Sequence, residues 1–66
     1  MTWEELEEEA KKMGAMEFFN ISTGCEHFMW RGIKFYDIGT IHQADGSLLS
    51  KNKTPDQMLA IMKALQ

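Results

Sequence analysis

The chain has 66 residues, 44% of them apolar, one cysteine and a formal net charge of −3, which bounds it to one small domain, 1–66, whose core consumes most of its apolar side chains. A lone Cys25 excludes an intramolecular disulfide and fits a reducing compartment; with no membrane-length apolar run and no basic start before an apolar stretch, the sequence reads as cytoplasmic, with no membrane partner. Net acidity weighs against a ligand held by phosphate neutralisation without excluding one.

Thr2-Trp3-Glu4-Glu5 opens the first element. The Thr2 hydroxyl is placed to accept from first-turn amides, and Glu5 can reach back to close a capping box. Trp3, Leu6, Ala10 and Met13 then recur at helical spacing, charged residues fill the opposite face, and Gly14 supplies the stop. Glutamates lead and lysines follow, as the helix dipole favours. Glu7 with Lys11 and Glu8 with Lys12 are i,i+4 pairs. The glutamate run reads first as a solvated helix face. Its sharper reading is an acidic epitope, Glu4, Glu5, Glu8 and Glu9, aimed at a basic partner.

Between residues 15 and 50 the chain is rich in β-branched and aromatic types, cut by Ser22-Thr23-Gly24, Arg31-Gly32, Asp37-Ile38-Gly39 and Asp45-Gly46. This punctuation predicts an antiparallel meander of roughly three to five short strands over 15–21, 26–31, 33–36, 40–44 and 47–50, the last with the weakest strand signal. Asp37-Ile38-Gly39 suits a three-residue hairpin loop and Asp45-Gly46 a two-residue type I′ turn. Alternation puts Ile33, Phe35 and Ile41 on one face with Phe28 and Trp30 as a like pair, and Lys34, Thr40 and His42 on the other.

Lys51-Asn52-Lys53 connects to the final element. Thr54 is a second N-cap, Pro55 stands where its missing N–H costs nothing, Asp56 meets the positive end of the dipole, and Gln57 completes another capping box. Met58, Ile61, Met62 and Leu65 form its apolar stripe. Core filling is the first account of this stripe; Leu59, Ala60 and Ala64 widen the arc, and a homodimer or partner-helix contact through that edge of the C-terminal helix is the second reading. The fold class is therefore α+β: two layers, with an N-terminal helix, the meander, and a C-terminal helix packed on one sheet face.

Three segments carry a resemblance: Trp3-Glu4-Glu5-Leu6 with Ala10 and Gly14; Gly32-Ile33-Lys34-Phe35-Tyr36 with Gly39 and Ile41; and Thr54 through Met62 with Ala64-Leu65. Across about half its length the chain resembles a group of short uncharacterised proteins from gut Gram-positive bacteria and their phages or mobile elements. The resemblance implies the same architecture and a mobile-element origin, and transfers no site residues.

Residue types that carry chemistry are few. Cys25 and His27 share a strand face if extended, and His42 could approach them, but no C-x-x-C or H-x₃-H pair supplies the ligand spacing of zinc. As nucleophile and base, the same residues would need an oxyanion hole and a substrate cleft, for which a 66-residue domain that spends its apolar groups on a core has little volume, and no glycine-rich phosphate loop opens a helix. The expectation is a non-enzyme with no catalytic residues, no metal and no cofactor. Arg31, Lys34, Lys51 and Lys53, near Trp30, Tyr36 and His42 in sequence, would make a basic-rimmed stacking platform if they shared the outer sheet face. Lysines near edge strands are explained equally by protection against edge pairing. The leading expectation is a non-catalytic protein–protein interaction or regulatory protein with an unknown protein partner. It would act through the acidic helix, Glu4, Glu5, Glu8 and Glu9, or through an exposed sheet face with Trp30 and Tyr36. The alternative is a small nucleic-acid-binding regulator using Arg31, Lys34, Lys51 and Lys53.

Overall fold

Both helices begin on the capping boxes that the sequence predicts. In the computed structural model, which describes residues 1–22 and 24–65 and the side chains of all of these but Asn20 and Cys25, α1 spans Trp3–Met13 and α2 spans Pro55–Ala64. Thr2 Oγ1 accepts from the Glu5 N–H at 3.2 Å while Glu5 Oε1 accepts from the Thr2 N–H at 2.8 Å. Thr54 and Gln57 repeat the arrangement at the same two distances. Gly14 ends α1 in the left-handed conformation, φ 93°, its N–H returning to the carbonyls of Ala10 and Lys11. On the α1 surface, Lys12 Nζ lies 3.5 Å from Glu9 Oε1, an i,i+3 pair in place of the Glu8 partner expected.

Five strands, β1 (Met16–Asn20), β2 (Gly24–Trp30), β3 (Ile33–Tyr36), β4 (Ile41–Gln43) and β5 (Leu48–Ser50), form one antiparallel sheet in chain order. β1 and β5 are its edges. The turn chemistry departs from expectation at one point. The positive φ values required at both central residues of a type I′ turn occur at Arg31 (54°) and Gly32 (77°), whereas at Asp45-Gly46 only Gly46 is left-handed. There, Asp45 Oδ1 accepts the Ser47 N–H at 2.9 Å, and the Gly46 N–H donates to the Gln43 carbonyl. The aspartate's local hydrogen bond favours a three-residue loop closed by one left-handed glycine. Asp37-Ile38-Gly39 takes that same form, with Gly39 donating to Tyr36. Of the predicted turn Ser22-Thr23-Gly24, Thr23 lies outside the described residues.

The two helices lie on one face of the sheet. Phe28, Phe35 and Ile41 point into that layer and are buried with Leu6 and Ala10 of α1 and Met58 and Met62 of α2. Trp3 stacks on Phe28 with centroids 4.9 Å apart, and the Trp30 indole N–H donates to the Met62 carbonyl at 3.0 Å. Leu59 and Ile61 flank this core half-buried. Leu65, expected in the α2 stripe, caps the helix instead and is exposed. Among the described residues no helix is long and apolar enough to cross a membrane.

Candidate functional site

Because side chains alternate along a strand, the residues between the core positions must face away from both helices. The strand register lines them up in two rows across the sheet. Phe18 of β1 pairs with His27 of β2, and His27 with Tyr36 of β3. Met16 pairs with Met29, Met29 with Lys34, Lys34 with His42, and His42 with Leu48. No helix covers these rows, and each of their residues is half-buried or exposed.

The first row is a ladder of rings. Phe18 and His27 stack with centroids 4.6 Å apart and planes 4° apart, and His27 and Tyr36 stack at 4.5 Å and 19°. Tyr36 then meets His42 edge-on at 4.9 Å. Centroid separations close to the spacing of neighbouring strands mean that the rings stand upright on the sheet with their faces turned to one another, and His27 Nδ1 is buried. A base stacks on a free ring face, and in this ladder His27 has both faces occupied.

His27 is held below the ordinary imidazole pKa, chiefly by burial, with Lys34 adding to the effect and Glu26 opposing it. His42 is fixed by two contacts, Nδ1 to the Gly46 carbonyl at 3.2 Å and Nε2 to Thr40 Oγ1 at 3.0 Å. Since a carbonyl only accepts, Nδ1 carries a proton and donates, leaving Nε2 to accept from the Thr40 hydroxyl in the neutral ring. At one end of the face an open groove of about 410 Å³ is lined by Gly14, Met16, Met29, Trp30, Arg31 and Gly32.

The residues singled out from sequence fall in three places. Tyr36 and Lys34 belong to the open face. Trp30 does not: two residues from Phe28 on β2, it shares the covered side, so the aromatic outer face expected to include it is built from Phe18, His27, Tyr36 and His42. Arg31 sits on the β2–β3 turn with its guanidinium 4.9 Å from the centroid of the Trp30 ring, while Lys51 and Lys53 lie in the connection from β5 to α2. The four cations therefore do not assemble into one rim. Glu4, Glu5 and Glu8 are exposed on α1 and Glu9 is half-buried; the helix belongs to the opposite layer from the ladder. Phe18 was not picked out by sequence reasoning and His27 was weighed only as a metal ligand or base, although both, like Tyr36, adjoin core positions or their cross-strand partners and so occupy outward-facing sites.

A second acidic feature lies at the junction of α1 and β1. Glu17 pairs with Phe28 on the covered side, with Oε1 buried and without a hydrogen-bond partner. Glu7 of α1 is held above the ordinary carboxylate range by burial and then by the charges of Glu17 and Glu4. Of the triad considered for metal or nucleophilic chemistry, the Cys25 side chain lies outside the described residues, and His27 and His42 stand on either side of Tyr36. Among the described residues no three His, Cys, Asp or Glu side chains are grouped to hold a metal ion.

No protein-family model, curated protein or solved structure matches the chain.

Proposed function

We propose that the protein is a non-catalytic interaction domain whose docking surface is the uncovered face of its sheet. The observation that supports this reading is the ladder Phe18–His27–Tyr36–His42 on a face that neither helix covers. Aromatic and methionine side chains on a rigid sheet supply contact area at low ordering cost, and such residues are enriched at protein interfaces. The helices give the face its rigidity by filling the opposite side with a close-packed core. Base recognition is less well supported, because both faces of His27 are spent within the ladder and Lys34 is the one lysine or arginine in the two rows.

A photo-crosslinking residue placed at Leu48, at the margin of the face, tests the reading in a host lysate. Capture of a defined protein partner that is lost in Phe18→Ser and Tyr36→Ser, and kept when Glu4, Glu5, Glu8 and Glu9 are all changed to Gln, is the expected result. The reverse pattern transfers the interaction to the acidic helix.

A further inference from the structure

The two rows hold three basic groups and no carboxylate. Lys34 is paired across β3–β4 with His42 and lies two residues along β3, on the same face, from Tyr36, the residue opposite His27. In a chain with ten Asp and Glu residues, this segregation is the feature of the face that contact area alone does not explain. Resting on the docking surface proposed above, we infer that the open face takes an acidic protein segment, and that protonation of His42 and His27 beside Lys34 strengthens that contact as pH falls.

The charged and polar neighbours described for the two rings bear on this. His27 has Phe18 and Tyr36 against its ring faces, Lys34 diagonal to it, and Glu26 as its chain neighbour at a bulge where β2 carries one more residue than β1. His42 faces Lys34, the Tyr36 ring and Leu48, with Thr40 and the Gly46 carbonyl on its nitrogens. Asp45, in the turn after β4, accepts the Ser47 N–H and is held below the usual carboxylate range chiefly by that bond, with the Lys34 charge adding to it, so it is the acidic neighbour an incoming segment must compete with at Lys34.

Charging His42 breaks neither of its contacts. Nδ1 continues to donate to Gly46, and the Thr40 hydroxyl, which rotates freely, turns from donor to acceptor as Nε2 gains its proton. His27 charges with more difficulty, between two rings and near Lys34. Carboxylates laid along the ladder would supply the opposite charge that favours both imidazolium forms. With both rings charged the whole chain is still net negative, at −1 by the same residue count, so attraction of an acidic segment is local to this face. The acidic side of α1 lies beyond the sheet, where salt screens it over about 8 Å at physiological ionic strength.

The test uses a fluorescein-labelled oligoglutamate peptide, an oligolysine control and an oligouridine strand, by anisotropy at pH 7.5 and pH 5.5, with amide shifts mapped by NMR. A binding site that raises one imidazole pKa by one unit tightens roughly tenfold across its titration. The expected result is at least that gain for oligoglutamate, with shifts on β2, β3 and β4, and its loss in His42→Gln and in Lys34→Gln. His42→Gln is the principal variant because His27→Gln removes a stacked ring. Affinity that is independent of pH, or shifts confined to the helices, overturns the inference. Equal pH-dependent binding of oligouridine overturns the choice of a protein partner. If oligoglutamate fails while the crosslinked partner is still lost in Phe18→Ser and Tyr36→Ser, this inference falls and the docking surface stands; if that loss also fails to occur, both fall.

Discussion

Trp30 donates its indole N–H to the main-chain carbonyl of Met62 across a gap of 3.0 Å and a sequence separation of 32 residues. This bond ties the β2–β3 hairpin to the last turn of α2, where the Met62 carbonyl also accepts the Leu65 N–H at 3.1 Å. Trp30→Phe keeps a ring in place and removes the indole bond, leaving the carbonyl to the Leu65 N–H alone. We expect a loss of about 1 kcal/mol, the net value of one hydrogen bond, in urea unfolding, with far-UV circular dichroism unchanged. A loss close to zero would mean that water takes over the bond.

Removal of either cap hydroxyl should cost about 1 kcal/mol. Thr2→Ala and Thr54→Ala remove equivalent bonds at opposite ends of the chain, and both helices supply side chains to the same core. Global unfolding should therefore report the two losses equally, and the double variant should lose about their sum. A Thr2→Ala effect visible only as local fraying in amide exchange would show that α1 detaches separately.

Gly39→Ala is predicted to destabilise by more than the roughly 1 kcal/mol of an ordinary left-handed alanine. Gly39 has φ 92°, and an added Cβ would come within 3.2 Å of the Lys53 carbonyl oxygen. The backbone of the connection before α2 blocks that space, and Lys53 also donates its N–H to the Gly39 carbonyl at 2.9 Å. Gly46 has a similar φ and nothing within 4 Å of the same position, so Gly46→Ala should lose only the conformational part. Thermal unfolding of the pair separates the two contributions.

Stability should fall as the solution is acidified below the ordinary imidazole range. The folded His27 has a pKa below its unfolded value of 6.5, chiefly because of burial. The unfolded chain thus binds the proton first, and folding loses free energy from about pH 6.5 downward until the folded ring also titrates. Above that range the contribution of His27 is complete. Urea titrations at pH 7.5 and 5.5 should show the decline, and His27→Gln should flatten it. Above the carboxylate range Glu7 acts in the same chain with the opposite sense: its raised pKa means that ionisation is resisted in the fold, so Glu17→Gln, which removes one of the charges acting on it, should raise stability at neutral pH.

The caps, the helix stripes and the face of each central strand were legible in the sequence because each depends on residues a few positions apart. Thr2 and Glu5 need no tertiary contact to form their box, and Phe28, Phe35 and Ile41 share a face by alternation alone. Trp30 shows the limit of reading by residue type: the same alternation places it with Phe28, yet its aromatic character invited it onto the open face. The ladder was less legible, since stacking of Phe18 on His27 depends on cross-strand register. That register shifts between Phe18 and Phe19, where Phe18 faces His27 and Phe19 faces Cys25. Turn type at Asp45-Gly46 likewise hung on a side-chain hydrogen bond to Ser47 that the dipeptide does not announce.

The strict chain order of the strands shapes how this molecule is assembled. Each hairpin can close between consecutive segments, with little loop entropy lost, so the sheet has a low topological barrier to formation. The core has no such shortcut, because Met58 and Met62, which seal it against Leu6 and Ala10, come from the opposite end of the described chain. During synthesis from the N-terminus the meander can zip up progressively while its inner aromatic surface stays wet until α2 arrives. Any delay in the synthesis of α2 would leave that surface open to chaperones or to other nascent chains.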